Sequence, residues 1–245
     1  MADKDKRKPF AIAEKQRENL NTLSKEELID YIMDLFQENP GLIVDDIETT
    51  GEIDKGKKIE LDHLIGKHRD AAERCFHVYA GNLYDAAHEA EHKLYDLLDK
   101  AEKLSKKDKK SAAALLTAIF AAIDDNYSEV DDSDGGIAAA SGLCVDKLTA
   151  LVPESNLKPG ERHRWQQRMF NRYIKNDYGI ADGVTTLLLE TCKKEDMDFL
   201  KGLVEEVLEQ FDDVSTWNSN YMKGELSRFL AELHELNGEG PSSKK

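Results

Sequence analysis

Apolar positions recur along this chain at intervals of three and four, the period of helices that bury one face. After a basic-leaning arm, residues 11–21 carry a short helix. Ser24 stands three residues before Glu27, a capping box, ahead of Leu28, Ile29, Ile32, Leu35 and Phe36 at helical spacing. Pro40-Gly41 ends that helix, because proline disfavours α geometry in the residue before it. Residues 44–58, with Gly51, Gly56 and mixed charge, read as a mobile loop. Residues 59–104 predict two helices broken near Gly81, followed by a lysine-rich turn over 105–110. The next pattern, 111–126, is so rich in alanine and apolar residues that it predicts a central helix buried on more than one side.

Asp131 to Gly183 is the stretch around which the rest is organised. It opens with Asp131-Asp132-Ser133-Asp134-Gly135-Gly136 and closes with Asn176-Asp177-Tyr178-Gly179. Between these turns the pattern predicts helices over 135–152, with Ser133 or Asp134 as N-cap, and over 161–176, with Trp165, Met169 and Tyr173 at four-residue spacing. Gly179 is expected to supply a positive φ. Further helices are predicted from Asp182 or Thr185 to Thr191, over 194–211, and from Trp217 or Asn218 to Leu236. On the second of these, Phe199, Leu200, Leu203, Val204, Val207 and Leu208 share a face. No β-type alternation occurs. The expected fold is all-α, an irregular helical-hairpin stack of about ten helices, α-solenoid-like in the manner of HEAT and TPR proteins but without a fixed period. Its expected divisions are an arm over 1–22, a helical array over 23–236 and a flexible tail over 237–245.

Three motifs carry a resemblance. Leu23-Ser24-Lys25-Glu26-Glu27-Leu28 running on to Glu38-Asn39-Pro40-Gly41-Leu42, the Asp131–Gly135 turn and the Asn176–Gly179 turn occur in that order over residues 20–190. With them the chain resembles a family of uncharacterised, all-helical bacterial proteins found alone or coupled to SWIM-type zinc-finger proteins. The resemblance implies an α-solenoid-like fold and no established activity. The cysteine and histidine spacing of a SWIM finger is missing, so no zinc finger carries over. The helices after Glu190 fall outside the match.

Charge narrows the function. The 245 residues carry a formal net charge of −15, with 34% charged and 40% hydrophobic residues. Such a surface repels phosphates, so direct nucleic-acid binding is disfavoured, whereas a basic protein partner is compatible with it. Cys75, Cys144 and Cys192 are far apart and form no C-x-x-C pair, which points to a reducing cytoplasm. The charged start carries no signal-peptide pattern, and no 18-residue apolar run predicts a membrane span.

Candidate chemistry is sparse. His88-Glu89-Ala90-Glu91-His92 matches H-E-x-x-H on a helix, where His88 and His92 could hold zinc and Glu89 could activate a bound water. Against this stand Glu91 at an x position, Lys93 beside it and the lack of a nominated third ligand. The bland alternative is an exposed polar face. His63, His68 and His77 lie upstream at mixed spacing. His163 and His234 stand alone. Asp131, Asp132 and Asp134 invite a calcium or magnesium ion, but Gly142 stands where an EF-hand needs its bidentate glutamate, and capping explains the acids equally well. Arg162, Arg164, Trp165, Arg168 and Arg172 form one basic, aromatic strip, suited to gripping an acidic peptide or phosphate backbone, or to pairing with neighbouring acidic helices. No nucleophile elbow, phosphate loop or dinucleotide fingerprint occurs. The leading expectation is a non-catalytic protein-binding helical scaffold, with no cofactor. The alternatives are a zinc-dependent hydrolase and an acidic regulator that competes with nucleic acid for a basic partner.

Overall fold

The computed structural model describes residues 60–77, 82–176, 178–211 and 217–236. By backbone contacts the chain divides into two units, Met1–Ile53 and Asp54–Lys245, and every described residue belongs to the second. The arm, the helix after the Ser24 capping box, the loop expected over 44–58, Gly81 and the tail lie outside the described residues.

The described residues are all-helical and contain no strand. Eight α-helices follow in order: α1 Glu60–Glu73, α2 Leu83–Ser105, α3 Lys109–Asn126, α4 Gly136–Leu151, α5 Pro159–Ile174, α6 Val184–Thr191, α7 Met197–Gln210 and α8 Trp217–Leu236. Short 3₁₀ turns at Tyr127–Glu129 and Lys194–Asp196 lead out of α3 and into α7. Among the described residues no helix is long and apolar enough to cross a membrane.

Local chemistry sets the helix starts. Asn82 accepts the Asp85 N–H at 2.8 Å to open α2, and Asp108 accepts the Ser111 N–H at 3.0 Å to open α3. Pro159 begins α5, where a missing N–H costs nothing, and the Glu161 carboxylate reaches back to the Lys158 N–H at 3.0 Å. The expected cap of α4 is corrected. Neither Ser133 nor Asp134 caps it; the N-cap position is Gly135, left-handed at φ 75°. The preceding turn, closed by the Gly135 N–H onto the Asp132 carbonyl, folds the Asp132 side chain back over the helix end. Its two carboxylate oxygens accept the N–H groups of Ile137 at 3.0 Å and Ala138 at 2.9 Å. The helix expected from residue 194 is also shortened: 194–196 is 3₁₀ and α7 starts at Met197.

α3 is the hub. Ala112 to Phe120 are all buried, with Ala122 and Ile123, and the helix packs against α1, α2 and α4. Alanine on several faces permits that close approach. A second layer forms where α5 packs on α1, α6 and α7, and α8 closes on α7 and α6. Trp165, Met169 and Tyr173 are buried, as their spacing predicts. On α7, Leu200 and Val204 are buried and Leu203, Val207 and Leu208 partly so, whereas Phe199 instead stacks on His163 at 4.3 Å.

Candidate functional site

The two sequence regions with candidate metal chemistry meet in space. The start of α2 and the acidic turn before α4 line one open cleft of about 170 Å³, bordered by Tyr84, Ala87, His88, Glu91, Asp131, Asp132 and Asp134. Ala87, Ala90, Leu94 and Leu98 form the buried stripe of α2. That stripe turns His88 and Glu91 toward α4. Glu91 lies against the first turn of α4: a side chain added at Gly136 would meet its carboxylate and push it aside. Glu91 and Asp132 thus both face the positive end of the α4 macrodipole.

Each acid of the turn already has a donor. Asp132 takes the two α4 N–H groups, and burial together with the Asp132 charge raises the nearby Tyr127 phenol. Asp131 accepts from the Ser133 hydroxyl. Asp134 accepts from the Tyr84 hydroxyl at 2.6 Å and lies 3.4 Å from His88 Nε2, while His88 Nδ1 lies 3.5 Å from Glu91. The bond to Asp134, with that carboxylate's charge, raises the Tyr84 phenol above its usual range. Tyr127 also packs its ring 5.8 Å from Tyr178, so the acidic turn and the Asn176–Gly179 turn are neighbours. The second turn is built as expected: Gly179 has φ 75°, and Asn176 ties the loop by accepting the Ala181 N–H at 3.0 Å and donating to Asp182 at 2.7 Å.

The H-E-x-x-H residues divide among different contacts. His88 faces the cleft. Glu89 pairs with Lys93 at 2.7 Å one turn along, and His92 is exposed with its ring 6.5 Å from that of His88. Among the described residues no three His, Cys, Asp or Glu side chains converge as a metal site. His63, His68 and His77 lie on or just after α1 and are not among the residues lining the cleft. His163 bonds Asp196 at 3.0 Å, and His234 lies in the last turn of α8.

Part of the basic strip of α5 turns inward: Arg162, Trp165 and Arg172 are buried. Arg162, 2% exposed, clamps Asp196 with Nε at 2.5 Å and Nη2 at 2.8 Å, and also reaches Glu195 and the Leu157 carbonyl. Arg172 bonds Asp124 at 2.6 Å and Asp125 at 2.9 Å. Arg164 and Arg168 share Asp62 of α1 at 3.5 and 3.4 Å. Trp165 is buried and donates to Thr117 of α3 at 3.0 Å. Lys110 sits between Glu60 and Glu161, 2.7 Å from each, and ties α1, α3 and α5 together. Burial alone would raise the Asp196 carboxyl, but the Arg162 hydrogen bonds, the Lys193 N–H and the Arg162 charge hold it below its usual range. Arg162, Trp165 and Arg172 are thereby tied into the fold, whereas Arg164 and Arg168 stay partly exposed.

The cysteines are free thiols. Burial pushes Cys75 and Cys192 up to about 11 and Cys144 higher still, which favours the protonated thiol at neutral pH.

Sequence reasoning passed over Tyr84, Tyr127, Glu91 as a cleft residue, and Asp196. Tyr84 stands four residues before His88, so its place on that face was readable. Asp196 carries no local signal, because its partner Arg162 is 34 positions away. In comparisons with known proteins, no family model, curated protein or solved structure matches this chain.

Proposed function

We propose that this protein is a non-catalytic, protein-binding helical scaffold, built as an irregular stack of helical hairpins and serving as a subunit of a larger assembly. The observation that carries this reading is an exposed apolar and aromatic surface around the two glycine-bearing turns. Leu83 is 62% exposed, Tyr84 40% and Tyr178 61%. Leu83 and Tyr84 border the acidic turn through the Asp131 N–H to Leu83 carbonyl bond and the Tyr84–Asp134 bond, and Tyr178 joins through Tyr127. Clustered apolar surface rimmed by polar groups is characteristic of interaction sites.

Two further features support it. The main helix contacts run between elements one or two apart in the chain, with α1 against α5 as the exception, which suits a stack of hairpins. The polar side chains that could have served catalysis are engaged internally: Glu89 by Lys93, Asp132 by the α4 end, Asp196 by Arg162. The acidic-regulator alternative draws on the net charge of −15 and shares the expectation of a basic partner.

The test is affinity purification of the tagged full-length chain from its native cell with mass spectrometry of co-purifying proteins, followed by reconstitution of any complex from pure components. A stoichiometric complex that re-forms supports the scaffold. A partnerless protein that turns over a substrate overturns it.

A further inference from the structure

Along α2, Tyr84, His88, His92 and Tyr95 succeed one another at spacings of four, four and three, so they share one helix face. All four are exposed. Three of the rings run together: Tyr84 meets His88 edge-on at 5.1 Å, and His88 stacks toward His92 at 6.5 Å. α4 runs alongside. Glu91 packs on Gly136 near the start, and Lys147 donates to Glu102 at 3.0 Å near the end, a separation of 45 residues in both pairs. The two helices are therefore parallel and in register. Between these pins α4 contributes exposed Ala139 and Gly142, and Leu143, which is 36% exposed. A Cβ built on Gly142 would meet nothing within 4 Å, so the surface there is open. From Tyr84 to Tyr95 the strip is about 16 Å long, three turns of a helix.

Charge is distributed unevenly along it. At the Tyr84 end stand Asp131, Asp134 and Glu91, with His88 as the cleft's one basic-type group. The nearby lysines are engaged: Lys93 with Glu89 and Lys147 with Glu102. A cation arriving at this end meets the Tyr84 ring and two exposed carboxylates together, which combines cation–π and ionic attraction.

We propose that the α2–α4 groove docks an amphipathic helix of a partner protein. The partner's apolar side chains pack on Tyr95 and Leu143, and a lysine or arginine enters between Tyr84, Asp131 and Asp134. The seam between two parallel helices, with exposed rings on α2 and exposed Ala139, Gly142 and Leu143 on α4 over about three turns, fits the helix-in-groove mode of recognition. The negative end sets the sign of the partner's charge. This inference rests on the protein-binding reading and names its site and its partner chemistry.

The probe is a fluorescent peptide of about fifteen residues with leucine on one face and lysine on the other, titrated against the full chain by anisotropy. A leucine–glutamate peptide of the same pattern is the comparison. The lysine peptide is expected to bind, and the glutamate peptide to bind at least roughly tenfold more weakly. Tyr95→Ser with Leu143→Ser is expected to weaken the lysine peptide roughly tenfold. Asp131→Asn with Asp134→Asn is expected to weaken it several-fold, with a shallower salt dependence. Unchanged melting temperatures in both variants show that the fold is intact. No binding, equal binding of the two peptides, or affinity indifferent to both variants overturns the groove. A native partner held equally by wild type and by Tyr95→Ser/Leu143→Ser would remove the groove while leaving the scaffold reading standing. A partnerless native protein that turns over a substrate would instead remove that reading.

Discussion

Two helices of this protein carry the same kind of sequence signal and meet opposite fates. The α2 segment His88–His92 and the α5 segment Glu161–Arg172 both mix histidine with alternating charge at helical spacing. On α2 the charged side chains stay at the surface, and Glu89 pairs with Lys93 on its own helix. On α5 they go inside: Glu161, Arg162, Gln166 and Arg172 are buried, and each ion pair reaches another element. The difference lies in how many sides are covered. α2 keeps one solvent face, whereas α5 is covered by α1, α6 and α7. A charge on a doubly covered helix survives only with a dedicated opposite charge, since desolvating it alone costs more than the fold can bear. Charge pattern alone does not separate a helix with a charged surface face from one with buried ion pairs; coverage does.

The sharpest way to break this contrast is to remove one partner on α5. Arg162→Ala leaves the fully buried Asp196 without its counter-ion and is expected to destabilise the protein by about 3–5 kcal/mol in urea denaturation. Arg164→Ala and Arg168→Ala touch only the partly exposed Asp62 and should cost about 0–1 kcal/mol each. Equal losses across all three would mean that burial is not the deciding variable. The pair also makes a pH prediction. Asp196 titrates below the usual carboxylate range when folded, so on acidification the unfolded chain takes up its proton first. The stability it contributes is complete above the unfolded value of about 3.9 and is lost as pH falls through the lower folded value. Asp196→Asn should therefore flatten the acid limb of the stability–pH curve; an unaltered limb would disconnect Asp196 from acid unfolding.

The next effect tests the acidic turn as a piece of architecture. Asp132→Ala removes the acceptor of two α4 N–H groups and is expected to cost about 1–2 kcal/mol. Ser133→Ala and Asp134→Ala, the residues expected from sequence to cap α4, should each stay within about 0.5 kcal/mol. If Asp134→Ala proved the costlier, the cleft would be holding α2 and α4 together through Tyr84 rather than through the cap.

These cases show where the sequence was readable. The all-α class, the buried α3 and the Trp165–Met169–Tyr173 stripe followed from periodicity, because each depends on residues three or four apart. The positive φ of Gly179 followed from turn chemistry at one position. The cap of α4 was misplaced by one or two residues, because the turn folds Asp132 back over Ile137 and Ala138, an interaction five and six positions long. The role of the α5 arginines was open in sequence, since Asp62, Asp124 and Asp196 lie 34 to 106 positions away from them and only packing brings them in. The cleft likewise joins Tyr84 to Asp134 across 50 positions. Local periodicity carries the elements, but the pairing of distant charges that fixes the candidate site needs the third dimension.

The smallest expected effect concerns the segment with the strongest motif. His88→Ala combined with His92→Ala removes both imidazoles from an exposed face, so the melting temperature should barely move, within about 0.5 kcal/mol of stability. The same comparison reads out chemistry. A helix that used His88 and His92 as zinc ligands would have to free Glu89 from Lys93, turn His92 toward the cleft and recruit a carboxylate such as Asp134 away from Tyr84. Binding energy for zinc is large enough to force such a rearrangement, so elemental analysis of the native protein beside the double variant is decisive. Equal, substoichiometric zinc in both places the histidines with the surface strip of α2. Stoichiometric zinc lost in the variant, with a matching fall in melting temperature, would give α2 an embedded role like that of α5 and erase the contrast between the two helices.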